Sequence, residues 1–168
     1  MAINKVGVIG SGIMGSGIAE VAASAGCEVV LRSRQQSSAD GMLLGLEKSL
    51  ARQVERGKKS QEEADAIRAR VSATTFIQDL HDCDLVIESV VEDLAVKKQL
   101  FHEIDAHVKP GCIIATNTST LPVVEMAMVT ARPELVCGVH FFNPATAMSL
   151  VEIVAPITAR DATIATVT

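Results

Sequence analysis

The chain has no tryptophan and no tyrosine, and only four phenylalanines. Stacking of exposed bases on aromatic rings, a mainstay of single-stranded nucleic-acid binding, has almost no material to work with. A surplus of positive charge is also missing. Fifteen lysines and arginines stand against 20 aspartates and glutamates, a net charge of −5. That balance excludes nucleic acid and an anionic membrane surface as main partners. The four cysteines (Cys27, Cys83, Cys112 and Cys137) form no C-x-x-C pair and show no metal-ligand spacing, so no metal site is expected. Their mostly apolar neighbours predict buried, reduced thiols and hence a reducing, cytoplasmic setting. No apolar run is long enough to span a bilayer. Glu20 and a strand-turn-helix pattern argue against a signal peptide at the apolar N-terminus. Repeats, linkers and low-complexity segments are absent, and 168 residues suit one domain with a proper core.

What the chain does have is a glycine turn in an informative context. The apolar run Val6–Ile9 reads as a buried strand and enters Gly10-x-Gly12-x-x-Gly15. Met14, Ile18, Val21, Ala22 and Ala25 then recur with helical spacing. Strand, glycine turn and helix together are the dinucleotide-binding fingerprint. Gly10 makes the tight turn, Gly12 lets the backbone approach a diphosphate, and Gly15 lets the helix pack close to the strand. The free N–H groups and positive end of that helix, around Ser11, Ile13 and Met14, then face the phosphates.

Further elements follow by periodicity and punctuation. Residues 28–32 read as a second strand and 38–56 as a helix with Leu43, Leu46, Leu50 and Val54 on one face. A helix over 61–70 has Ser60 as its cap and Glu63 as the reciprocal partner. Strands are expected at 71–75, 85–88, 112–115, 135–140 and 150–154, and a helix over 93–108 with Val96, Leu100, Ile104 and Val108 in register. A last helix begins near Thr158. Such alternation predicts an α/β fold: a Rossmann-type, doubly wound, mostly parallel sheet with helices on both faces.

Three places carry chemistry. The end of strand two should hold an acidic residue for the adenosine ribose, but the chain has Arg32-Ser33-Arg34. Ser33 can bond the ribose without adding charge. The two arginines either accommodate a 2′-phosphate or are ordinary solvated residues, which leaves NADP open beside NAD. The second place is Gly138-Val-His140-Phe-Phe-Asn143-Pro144, followed by Glu152 in the next strand. His140 falls at a strand's C-terminal end, where ligands bind in open α/β sheets, and imidazole suits proton transfer at neutral pH. If the two strands are neighbours, Glu152 can fix the tautomer of His140 as a buried carboxylate does in a triad. Third is the polar loop Asn117-Thr-Ser119-Thr, where Ser119 can hold a substrate oxygen or simply cap the next segment. His81, His102 and His107 read as solvated.

The run Val-Ile-Gly-Ser-Gly-Ile-Met-Gly-Ser-Gly-Ile-Ala, with Ile87-Glu-Ser-Val-Val-Glu92-Asp, Asn117-Thr-Ser119, Arg132-Pro133, His140-Phe-Phe-Asn-Pro144 and Leu150-Val-Glu152, resembles the 3-hydroxyacyl-CoA dehydrogenase family, in its 3-hydroxybutyryl-CoA dehydrogenase-like branch. The resemblance runs from about residue 4 onward. It implies oxidation of an L-3-hydroxyacyl-CoA to the 3-ketoacyl-CoA with NAD, or the reverse, in fatty-acid metabolism. It implies His140 as the catalytic base, Glu152 as its orienting partner, and Ser119 as a hydrogen-bond donor to the reacting oxygen near the nicotinamide. Asn143 would support the site, Glu92 and Lys97 would contact the cofactor, and Ser49 and Arg56 would contact the acyl-CoA. Two departures stand out. Ser33 replaces the usual Asp. The family's helical second domain, which closes the cleft and makes the dimer contact, has no counterpart in residues 1–168, so residues 1–168 are read as the nucleotide-binding domain alone. A homodimer, or a partner chain supplying that cover, is therefore open, and nucleotide binding is expected to survive better than turnover. The alternatives are a nucleotide-binding module without turnover and a sugar-acid dehydrogenase of the L-gulonate 3-dehydrogenase type.

Overall fold

The computed structural model describes residues 2–168. The elements run β1 (Lys5–Ile9), α1 (Ile13–Ser24), β2 (Glu28–Arg32), α2 (Gln36–Glu55), α3 (Gln61–Ala69), β3 (Val71–Thr74), β4 (Leu85–Glu88), α4 (Leu94–Asp105), β5 (Ile113–Thr116), α5 (Val123–Ala127), β6 (Val136–Phe141), β7 (Val151–Val154) and α6 (Asp161–Val167). They build a seven-stranded sheet in the order β3-β2-β1-β4-β5-β6-β7. All pairs are parallel except β6 with β7. From β1 the chain winds outward through β2 and β3, then returns to place β4 on the other side of β1. The carboxyl ends of β1 and β4 therefore flank the switch point where open α/β sheets bind ligands.

Strand side chains alternate between two cores. Val6, Val8, Val29, Leu31, Leu85, Ile87, Ile113 and Ala115 pack on one face with Ile18, Ala19, Met42, Leu46 and Leu50. Ile9, Val30, Val86 and Ile114 pack on the other with Phe101, Ile104 and Met126. Both faces are covered, which is why the strands are near-continuous apolar runs. The sandwich is tight at Gly7, where a Cβ would stand 2.8 Å from Leu80. The α3 cap has the reciprocal form expected: Ser60 Oγ accepts from Glu63 N–H (3.1 Å), and Glu63 accepts from Ser60 N–H (2.7 Å).

One expected residue is out of place, and two features of the fold are additional. Of the four residues expected in register along α4 and its end, Leu100, Ile104 and Val108 are buried, together with Phe101 and Lys97, and only Val96 departs. Val96 is exposed because it faces a cavity. The short helix α5 and single 3₁₀ turns at Ile77–Leu80 and Pro133–Leu135 join the strands without enough length to show a period. Last, β7 runs antiparallel, because residues 142–150 are too few for the crossover of a dozen or more that a parallel return needs.

Candidate active site

A cavity of about 790 Å³ opens at the carboxyl ends of β1, β2 and β4. Its floor is the turn Gly10–Met14, and its sides are the segments after β2 and β4. Gly10 has φ +129°, and a Cβ there would lie 2.2 Å from the Ser89 carbonyl oxygen. A Cβ on Gly15 would lie 2.1 Å from the Gly10 carbonyl oxygen. Gly10 lets the turn press against the segment after β4, and Gly15 lets α1 close on the turn. Gly12 differs: a Cβ there meets no protein atom within 4 Å. Its missing side chain keeps open a cradle that belongs to a ligand. Helix α1 begins beside it with no side-chain cap and no acidic residue in its first turn, so the first amides and the positive helix end are free for an anion. The residues present therefore fit a dinucleotide diphosphate.

Beneath the cavity lies a buried polar network that sequence reasoning missed. Glu88, at the end of β4, is wholly buried and accepts from Lys97 Nζ (2.6 Å), Val90 N–H (2.6 Å) and Thr116 Oγ1 (2.7 Å). Lys97 also lies 3.4 Å from Glu92, and Thr118 Oγ1 donates to Glu92. Burial pushes the Glu92 carboxyl up, but the Thr118 hydroxyl and the Lys97 ammonium outweigh it and hold it below its ordinary range. Both Glu92 and Lys97 line the cavity, yet Lys97 is spent on two carboxylates. The available signal was a lysine on the apolar stripe of an amphipathic helix, a position that demands a buried counter-charge.

Asn117 ties the cavity to the second cluster. Its Nδ2 donates to Ser89 Oγ (3.3 Å), and its Oδ1 accepts from the Phe141 backbone N–H (2.8 Å). Phe141 follows His140. In the antiparallel β6–β7 pair, His140 stands directly opposite Glu152. Cross-strand partners lie close enough for side chains to meet, and His140 Nδ1 is 2.8 Å from Glu152 Oε2. The His140 ring also packs on Phe142, centroids 4.7 Å apart. Among the described residues nothing hydrogen-bonds His140 Nε2. One expectation is corrected here. Glu152 is not buried: its side chain is 54% exposed, against 16% for His140. The reason is that β7 is an edge strand whose outer face is uncovered, with Leu150, Val151 and Val154 exposed around it.

The remaining candidates fall in two groups. Ser33 is only 6% exposed and lines the cavity with Arg32 and Arg34. Ser119 is exposed just past β5, and Asn143 is exposed just past β6, both on the carboxyl edge. The Asn143–Ala145 loop returns over α1, where a Cβ on Gly17 would be 3.1 Å from Ala145. Ser49 and Arg56 lie outside the cavity. Ser49 Oγ is 3.4 Å from Gln53 Nε2, which also donates to the buried Glu20 (2.5 Å), and Arg56 is the exposed C-cap of α2. Three of the four cysteines are buried as expected, and Cys27 is half-buried. Burial pushes Cys83, Cys112 and Cys137 up to about 12. No group of His, Cys, Asp and Glu suited to a metal ion occurs among the described residues, and no helix among them is long and apolar enough to cross a membrane.

Glycine turn, free helix end and switch-point cavity define a dinucleotide-binding α/β domain of the Rossmann type. Comparison with known proteins narrows the class. Residues 5–168 match the family described as "3-hydroxyacyl-CoA dehydrogenase, NAD binding domain", and the chain belongs to that family. It is 47% identical over 150 residues to a 3-hydroxybutyryl-CoA dehydrogenase of Clostridioides difficile, covering 89% of this chain and 53% of that protein. It superposes with a TM-score of 0.96 on 3-hydroxybutyryl-CoA dehydrogenase from Escherichia coli K12, at 38% identity, covering 98% of this chain and 35% of the other. It is also 37% identical to part of a fatty acid oxidation complex subunit alpha of Psychrobacter arcticus, covering 98% of this chain and 23% of that protein. The chain spans about half the length of the curated 3-hydroxybutyryl-CoA dehydrogenases it matches.

Proposed function

We propose that the protein interconverts a (3S)-3-hydroxyacyl-CoA and the corresponding 3-ketoacyl-CoA. The observation that carries this is the His140–Glu152 pair, 2.8 Å apart, on the same sheet edge as the glycine turn. A nicotinamide cofactor, when bound, supplies the acceptor or donor of hydride. Everything else falls to the chain's own groups. The Gly12–Met14 amides hold a diphosphate, and Ser33 meets the adenosine ribose. Glu152 accepts the Nδ1 proton of His140, which leaves the Nε2 lone pair free. His140 Nε2 takes the substrate hydroxyl proton as hydride leaves the carbon bearing that oxygen, and Glu152 steadies the imidazolium that forms. In reduction the same proton returns to the ketone oxygen. Ser119 donates to the reacting oxygen, and Asn143 supports the loop beside it. Ser49 and Arg56, on the α2 side, contact the acyl-CoA. Glu92 and Lys97 hold the cavity wall next to the cofactor.

Met148, Leu150, Val151, Val154 and Ile157 are exposed next to this pair. We assign to that apolar rim a helical cover, on the same polypeptide or on a partner copy, which excludes water from the proton transfer. The test is oxidation of NADH or NADPH by acetoacetyl-CoA, with free sugar acids and hydroxy acids as competitors and His140→Ala as control. Thioester-dependent turnover lost in the variant is the expected result. Turnover on sugar acids alone would assign a different substrate class, and nucleotide binding without any turnover would leave a binding module.

A further inference from the structure

We propose that Asn117 is a positioning residue that keeps His140 in register with the floor of the dinucleotide cavity. The proposal rests on the functional reading above, in which His140 moves the substrate proton. It gives a role in the rate to a side chain outside the His140–Glu152 pair. The need for it is visible in the sheet. The β5–β6 ladder ends with Thr116 opposite Gly138. Residues 139–141 of β6 run on past the end of β5, and their other neighbour is β7, an edge strand. His140 therefore sits on a strand tail with one flank unpaired. The Asn117 side chain fills that flank, because its Oδ1 accepts from Phe141 N–H at 2.8 Å. A backbone N–H only donates, so this bond fixes which end of the amide is oxygen and turns Nδ2 toward Ser89 Oγ, 3.3 Å away. Ser89 is in turn locked to the glycine turn. Its N–H donates to the Ile9 carbonyl (2.7 Å), and its own carbonyl oxygen lies 2.2 Å from where a Cβ on Gly10 would stand. Asn117 is itself anchored. Its N–H donates to the Glu88 carbonyl (2.8 Å), and the next residue, buried Thr118, donates its N–H to Thr116 Oγ1 (3.2 Å). One half-buried amide thus joins the cavity floor to the strand that carries His140. Hydride and proton leave adjacent atoms of the substrate, so base and cofactor must be held at one fixed separation. A misplacement of about 1 Å costs on the order of a hundredfold in rate.

The test compares two variants of the full chain. Asn117→Leu keeps the size and removes both bonds, whereas the carboxylate of Asn117→Asp accepts from Phe141 N–H and from the Ser89 hydroxyl. Folded sites are counted by NADH titration, and reduction of acetoacetyl-CoA is followed per site. Asn117→Leu should lower kcat by about a hundredfold while KM and the NADH Kd stay within about threefold, and Asn117→Asp should recover at least about tenfold of the loss. A second readout needs no turnover. With isotope-labelled histidine, NADH should shift the His140 ring resonances of the wild type, lose that effect in Asn117→Leu and regain it in Asn117→Asp. His81, His102 and His107, none of which lines the cavity, serve as internal controls. A leucine variant with kcat and His140 shift unchanged, or with a loss confined to NADH affinity, overturns the proposal and leaves the functional reading standing. Should Asn117→Leu fail to fold, Ser89→Ala decides, since it removes only the Nδ2 link: an unchanged rate and an unchanged His140 shift overturn the proposal. Wild-type protein with no thioester turnover and no effect of NADH on His140 overturns both.

Discussion

Replacing Lys97 by Met removes one ammonium and keeps most of the aliphatic stem. The structure makes that a severe change. Lys97 is 1% exposed, Glu88 is 0% exposed, and they meet at 2.6 Å. Without the ammonium, Glu88 keeps its bonds from Val90 N–H and Thr116 Oγ1 but becomes an uncompensated buried charge. Breaking a buried pair from one side costs about 3–5 kcal/mol, a large share of the roughly 5–15 kcal/mol that a domain has in total. With a urea m-value of about 2 kcal/mol/M, the unfolding midpoint should fall by about 2 M. The companion variant Glu88→Gln/Lys97→Met removes the stranded charge and leaves an amide that can still accept from Val90. It should recover at least about 2 kcal/mol of the loss, a coupling that a double-mutant cycle reads directly. Nucleotide affinity should fall in step, since Val90, Glu92 and Val96 line the cavity above the pair. A single variant costing under about 1 kcal/mol, or strictly additive losses, would refute the claim that Lys97 neutralises a buried carboxylate.

The two kinds of glycine separate by assay. Gly12→Val should fold normally and lose dinucleotide binding, whereas Gly15→Val, whose Cβ lies 2.1 Å from a carbonyl oxygen, should lower thermal stability whatever ligand is added; the reverse pattern contradicts the cradle. His140→Ala should abolish turnover with cofactor affinity nearly intact. Glu152→Gln should slow it by about a hundredfold, less than the roughly 10⁴-fold cost at a buried triad, because Glu152 is half in water; equal rates for wild type and Glu152→Gln would remove its orienting role. Acid should destabilise the fold through Asp84. Burial pushes this carboxyl up, but Lys109 and the amides of Asn4 and Lys5 outweigh burial and hold it below its ordinary 3.8. The folded state then binds fewer protons than the unfolded one. The contribution is complete above about pH 4 and is lost as pH falls through the folded value, so Asp84→Asn should flatten the acid limb of a stability–pH curve. Native alkylation should reach Cys27 first. With thiols pushed up to about 12, Cys83, Cys112 and Cys137 should react only on unfolding, and equal rates would show that they are accessible.

The parallel core was legible because its strands are apolar runs set between helical periods, and the glycine turn because three residues answer three separate steric demands. His140 and Glu152 were legible as a conditional pair, and the short 142–150 return, which forces β7 antiparallel, supplies the condition by putting them opposite one another. The exposure of Glu152 was not legible, since an edge strand and a central strand carry similar residues. Nor was the Glu88–Lys97 pair. The stripe of α4 reads correctly through Leu100, Ile104 and Val108, but residue type put apolar Val96 rather than charged Lys97 at its start, and only three-dimensional closure brings the end of β4 under that lysine. Helix α5, at five residues, is too short for periodicity to mark. Ser49 lies against Gln53 and Arg56 caps α2, both outside the cavity; helical spacing put them on one side of α2 but carried no information about what that side meets.

One measurement bears most directly on the whole account: an electron-density map from crystals grown with a nicotinamide dinucleotide. The account predicts the diphosphate over Gly12, bonded to the first amides of α1, with the nicotinamide reaching toward His140 along the carboxyl edge of the sheet. Density for the dinucleotide on any other face, or a nicotinamide turned away from His140, would contradict it.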